Sequence, residues 1–187
     1  QSYYDNGGWR GTWGMDGGGS LMNQAIHTVD LMQWLMGDVE SVTSQMGIYN
    51  HEIETEDMTA SLVKFKNGAA ATFVSTTCAY PGLSTDIQVY GTKGSIEVDG
   101  DKLKLWRIEG EDTDEGKSMI DLYGSGNGNA TSLDPTLVVG HATQVEDIID
   151  SVLFDRDPLI VPSDAIKSVR IANAIYESAR TGKTICF

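Results

Sequence analysis

Residues Trp9–Gly37, WRGTWGMDGGGSLMNQAIHTVDLMQWLMG, decide how the chain is read. An aromatic and basic loop passes through the triplet Gly17-Gly18-Gly19 into an apolar helix that stops at Gly37. Leu21, Met22, Ala25, Ile26, Val29, Leu31, Met32 and Leu35 surround that helix on nearly every side, which predicts burial. Asn23, His27 and Asp30 stand at i, i+4 and i+7 and so share one helical face. Polar groups on a buried helix need partners, or a cavity with water or ligand. The stripe is therefore a functional site or a set of satisfied core groups, and spacing alone leaves both open. Ser20 is the candidate N-cap and Gly37 the candidate C′ residue.

Downstream the period changes from helical to two. Val39–Tyr49, Thr59–Lys66, Ala69–Cys78, Thr85–Tyr90, Ser95–Val98 and Lys102–Ile108 read as strands. Asn67-Gly68 and Asp99-Gly100 are tight hairpin turns, because both residue types tolerate positive φ. Such short connections demand antiparallel pairing, which gives a meander of about five or six strands. Glu52–Asp57 (EIETED) reads as an acidic turn or edge with His51 as a solvated turn residue, and 109–134 as a long loop. Its run Gly124-Ser-Gly-Asn-Gly-Asn fails as a dinucleotide fingerprint: Asn129 replaces the third glycine and no strand leads in. Asn129-Ala-Thr131 is a glycosylation sequon that carries little weight without a secretory signal.

Two helices come next. The first spans about 137–154, with Val145, Ile148, Ile149, Val152 and Leu153 turned inward. The second has Ser163 as N-cap and Gly182 as C′, and a short strand Thr184–Phe187 ends the chain. The reading is a single α+β domain over 1–187, a mostly antiparallel open sheet with helices packed on one face. Ala71, Phe73, Val74 and Thr76 put apolar groups on both faces of one strand, which points to a homo-oligomer formed sheet to sheet.

The formal net charge of −14 argues against nucleic acid or an anionic membrane surface as partner. No stretch is apolar enough to span a bilayer. Cys78 and Cys186 have no metal-ligand spacing, so no metal is expected, and free thiols suit a cytoplasmic protein. Gln1 opens in mid-loop, as a piece of a longer chain would. Arg10 is the nearest cation for an acidic or phosphorylated ligand group. His141 opens the penultimate helix in a role the pattern does not decide.

WRGTW and the spaced set Gly17-Gly18-Gly19, Asn23, His27, Asp30 resemble the substrate-domain signature of the glucose–fructose oxidoreductase, inositol dehydrogenase and MocA family. YGTKGSIEV (90–98) is similar to that family's sheet turn, and AIYESARTGK (174–183) to its last helix. The resemblance implies the C-terminal domain of a two-domain chain, whose N-terminal Rossmann domain binds NAD or NADP. Neither that domain's fingerprint nor the family's Glu-Lys-Pro motif, whose Lys helps catalysis, occurs in these 187 residues. On the resemblance, the full-length protein is an NAD(P)-dependent dehydrogenase of a sugar, sugar acid, sugar nucleotide or polyol, and this fragment alone is inactive. His27 is then the acid/base. Asn23, where the inositol branch has Asp, orients the hydroxyl or His27. Asp30 fixes the His27 tautomer or serves as a structural cap, and Trp9 and Trp13 stack on a sugar ring or close the helix end. The alternative is a non-catalytic oligomerisation or carbohydrate-binding module.

Overall fold

The computed structural model describes residues 2–5, 8–124 and 139–187. In chain order these form α1 (Ser2–Asp5), a π-turn (Ser20–Gln24), α2 (Ile26–Met36), β1 (Val39–Gly47), β2 (Met58–Phe65) and β3 (Ala70–Thr76). Then come β4 (Asp86–Gly91), β5 (Gly94–Asp99), β6 (Lys102–Ile108), α3 (Thr113–Tyr123), α4 (Val139–Leu153), α5 (Pro162–Thr181) and β7 (Ile185–Cys186). The chain divides into two compact units, 1–82 with 147–187, and 83–146.

The first unit is built on a four-stranded antiparallel sheet in the order β3-β2-β1-β7. Period-two alternation sends Val42, Val63, Phe65 and Phe73 to one face, where they are buried. Asn67-Gly68 closes β2 onto β3, with Gly68 at φ +89°. Against this face lie α2, through Val29 and Met32, and α5, through Ile171, Ala172, Ile175 and Tyr176. Fully burying each large aliphatic or aromatic side chain stabilises the fold by about 1.5–3 kcal/mol.

Hydroxyls share that inner face without being stranded. Ser44 and Ser61 bond at 2.9 Å, Thr59 and Ser75 at 2.8 Å, and Ser20 reaches Ser75 at 3.0 Å. The Ser44 amide donates to the Ser178 hydroxyl at 2.9 Å, so α5 is tied to β1 directly. Small polar groups that satisfy one another let the π-turn and α5 approach the sheet closely.

The second unit is a three-stranded antiparallel sheet, β4-β5-β6, with α3 packed on β6. Asp112 caps α3 by accepting the Asp114 amide. Gly116 lets the helix lie on β6, because a Cβ there would press on the Trp106 carbonyl.

The α+β class, the antiparallel pairing and the helices on one sheet face are as the sequence predicts. Several details differ. The strands form two sheets rather than one meander, because the 77–85 connection, broken by Pro81-Gly82, leaves β3 and β4 unpaired. The expected loop after 109 contains α3. The last long helix begins at Pro162, one residue before the expected Ser163 cap, because proline suits the first helical position. On α4, Val145, Ile148, Ile149, Val152 and Leu153 are 51–79% exposed rather than turned inward. On α2, Leu31, Trp34 and Leu35 are exposed, Trp34 by 75%, so the helix is buried on one side only. The segment 125–138, with its Asn129 sequon, and the His141 side chain lie outside the described residues.

Candidate functional site

The glycine triplet is held from below by one acidic side chain. Glu56 is 2% exposed. Its Oε2 accepts the Gly19 amide at 3.0 Å, its Oε1 accepts the Leu21 amide at 2.9 Å, and its backbone carbonyl accepts the Ser20 amide at 3.1 Å. The Tyr176 hydroxyl donates to the same Oε1 at 3.1 Å. Burial first, and then the Glu56 charge, push the Tyr176 phenol far above its ordinary range, so it stays a donor. Ser20 therefore does not cap the helix; its hydroxyl turns to Ser75, and Glu56 does the capping from the segment before β2.

These contacts explain the glycines. A Cβ on Gly19 would collide with the Glu56 carbonyl, and one on Gly18 with the Tyr176 hydroxyl. Gly17 has open space but sits at φ +76°. Gly18, Gly19, Glu56 and Tyr176, far apart in sequence, thus meet at the buried side of the helix start.

On the exposed side stand the stripe residues. The Ala25 amide bonds the Ser20 carbonyl at 3.0 Å, an i+5 step, so the helix is a π-turn up to Gln24 and α-helical only from Ile26. Asn23 is thereby offset from the α2 face. Its side-chain amide donates to Asp16 Oδ1 at 2.8 Å and to the Gly18 carbonyl at 3.0 Å. Asp16 in turn accepts the Gly11 amide at 2.8 Å, so Asn23 braces the loop before the triplet. Asp30 accepts the Ser168 hydroxyl and links α2 to α5. His27, in the first turn of α2, is exposed and makes no hydrogen bond among the described residues. All three are exposed, not set in a buried seam.

The Trp9–Asp16 loop carries the other candidates. The Arg10 guanidinium lies over the Tyr3 ring at 4.6 Å and the Trp9 ring at 5.1 Å, and its Nε is buried without a partner among the described residues. Arg10 lines a cavity of about 420 Å³ with Tyr4, Asp5, Gly11, Thr12, Glu52, Ile53 and Glu54. His27, Asn23 and Asp30 do not line this cavity. Trp13 belongs to the frame: its Nε1 donates to the Glu54 carbonyl at 2.9 Å, it meets Tyr176 edge-on at 5.2 Å, and Arg180 covers its ring.

The acidic run before β2 is an organiser, not the solvated edge it resembles. Thr55, Glu56 and Asp57 are all buried. Asp57 accepts the amides of Tyr49, Asn50 and His51 at 2.8, 2.9 and 3.0 Å, and pairs with His51 Nδ1 at 3.1 Å. His51 is thus nearly buried rather than a free turn residue. Burial alone would raise the Asp57 carboxyl; the ring of amides outweighs it and holds the group at about 2. Cys78 lies close enough to offer a third metal-ligand atom, within 4.8 Å of the other two. Yet both carboxylate oxygens are already occupied, and burial pushes the thiol up, so the trio makes a closed turn-locking nest.

The nest has a pH consequence. A carboxyl lowered from 3.8 to about 2 stabilises the fold fully above 3.8 and loses that contribution as pH falls through 2. Denaturant melts of wild type and Asp57→Asn should converge by about 2 kcal/mol between pH 5 and pH 2. A gap that stays constant across that window rules the charge out.

No parallel strand–helix–strand unit occurs among the described residues. No helix among them is long and apolar enough to cross a membrane. A family model described as "Oxidoreductase family, C-terminal alpha/beta domain" matches residues 1–187. D-apiose dehydrogenase of Rhizobium rhizogenes is 24% identical over 165 residues, 86% of this chain and 46% of that protein. The WlbA dehydrogenase of Chromobacterium violaceum, solved with NADH and UDP-GlcNAcA, superposes with a TM-score of 0.82 at 32% identity, covering 100% of this chain and 51% of that one. The Bordetella pertussis WlbA dehydrogenase, with the same two ligands, gives 0.80 at 29%, covering 100% and 50%. The chain spans about half the length of each of these proteins.

Proposed function

The chain belongs to the oxidoreductase family whose C-terminal alpha/beta domain it matches throughout, and from that premise we propose that it is the substrate-binding and acid/base half of an NAD(P)-dependent dehydrogenase. The substrate is a secondary alcohol of a sugar, sugar acid, sugar nucleotide or polyol. One observation carries the reading: His27 is an exposed imidazole, unpartnered among the described residues, on a helix whose start is clamped by Glu56. An imidazole nitrogen can accept and return a proton, and no described neighbour is hydrogen-bonded to this one.

In this reading a ring nitrogen of His27 takes the proton of the reacting hydroxyl. Asp30, on the same α2 face, keeps one carboxylate oxygen to accept a second hydroxyl. Asn23 already donates both amide hydrogens, so its carbonyl oxygen is left to accept from the substrate or from His27. Arg10 and Trp9 supply a cation and an aromatic face for an acidic or phosphorylated substituent. The names of the similar proteins, one a sugar dehydrogenase and two solved with NADH and UDP-GlcNAcA, support this substrate class. The nucleotide is held by a Rossmann domain of the same protein outside this chain, and the setting is cytoplasmic.

The test is turnover by the full-length protein with NAD⁺ or NADP⁺ and a panel of UDP-linked N-acetylated sugar acids, free aldoses and polyols. Reduced nicotinamide should accumulate with at least one of them. A protein that binds nucleotide yet oxidises none of the panel overturns the reading.

A second role rests on a separate observation. The outer sheet face exposes Leu62 and Val74 beside Thr43, Thr72 and Ala60. A second copy packed there would bury both. Leu62→Glu should shift the sedimenting species toward monomer, and wild type that is already a strict monomer at high concentration excludes the interface.

A further inference from the structure

We propose that Glu56 is the positioning residue of the catalytic helix, and the proposal rests on the reading of His27 as acid/base. Three successive amides, those of Gly19, Ser20 and Leu21, donate to this one residue. No cation pairs with its carboxylate among the described residues. A buried charge without a counter-ion is costly, so its presence calls for a reason beyond packing. Part of the reason is local: the amides at a helix start carry partial positive charge and favour an anion.

The rest lies in what those amides begin. They open the π-turn, whose i+5 bond from Ala25 to Ser20 sets where α2 starts. His27 is only the second residue of α2. Relaxing a π-turn to α-helical winding removes one residue from the turn and rotates the remainder of the helix by about 100°. The buried Val29 and Met32, packed in the core with Tyr176, oppose such rotation. Glu56 opposes it at the helix start, by holding the amides of Gly19, Ser20 and Leu21, and together they fix the backbone that carries His27.

Only a carboxylate fits this task. Both oxygens accept, one from Gly19 and one from Leu21 and Tyr176. Glutamine offers one acceptor oxygen and would turn an N–H toward a donor. Arg10 lines a cavity that Glu56 does not touch, so a change at Glu56 leaves its lining in place.

The experiment is a double-mutant cycle in the full-length protein, with Glu56→Gln, His27→Ala and the pair. Glu56→Gln should lower kcat at least 10-fold with KM within about 3-fold and nucleotide binding unchanged. In the His27→Ala background the same change should cost less than 2-fold. Equal losses in both backgrounds, or no loss in either, overturn the positioning role while the acid/base reading stands. Full turnover in His27→Ala overturns the acid/base reading and the proposal with it. If Glu56→Gln does not fold, Tyr176→Phe takes its place, since it leaves both amide bonds and removes one donor to the carboxylate. Its loss of 2- to 5-fold should likewise vanish in the His27→Ala background, and a loss that persists there overturns the proposal.

Discussion

His27→Ala in the full-length protein should lower kcat by roughly 100- to 10,000-fold, the range typical of removing a general acid/base. The substitution removes an exposed ring with no hydrogen bond among the described residues, so the fold should tolerate it. KM should move little, because Arg10, Trp9 and the bracing Asn23 are untouched. His27→Gln is the companion variant: it retains polarity and reach but not proton exchange, so it should be nearly as slow. The limb of the wild-type pH–rate profile that reports the essential base should flatten in both. Turnover within 3-fold of wild type, with cofactor bound and thermal melts unchanged, removes His27 from the chemistry.

The largest stability effect belongs to Gly19→Ala. The new Cβ would overlap the Glu56 carbonyl, a backbone atom that cannot swing aside. Relief requires the chain to part there, which breaks the Ser20 amide bond to that carbonyl and strains both carboxylate bonds beside it. Overpacking plus a buried unpaired amide costs roughly 3–5 kcal/mol. Gly17→Ala is the control, since open space surrounds that position and only its positive φ resists a side chain, at about 1–2 kcal/mol. Denaturant melts of the two variants should rank Gly19→Ala well below Gly17→Ala. Equal stabilities contradict the close approach.

Local patterns carry a good deal of this fold. Asn67-Gly68 and Gly37 announce their turn and helix end because those backbone angles suit few other residues. Alternation in β1–β3 announces the sheet and its inner face. The illegible part depends on partners far along the chain. Glu56 sits in an acidic run that looks solvent-loving, yet among the described residues it is the least exposed carboxylate after Asp57. Its partners are amides 35 and 37 residues earlier and a tyrosine 120 later. The one available hint is the glycine triplet itself, which signals a close backbone approach without naming what approaches. The stripe is misread for a related reason. Periodicity assumes uniform winding, and the π-turn breaks it between Asn23 and His27. Apolar content also does not reveal which side is covered, as Trp34 on α2 and the exposed aliphatics of α4 show.

The meeting of Gly19, Glu56 and Tyr176 also has a bearing on synthesis. A ribosome delivers the first two early and the tyrosine more than a hundred residues later, at about 5–20 residues each second. Until α5 emerges, the underside of α2 has no helix against it and the carboxylate lacks its phenol. This clamp is thus completed late in translation, and this half of the sheet stays open for several seconds before α5 closes it.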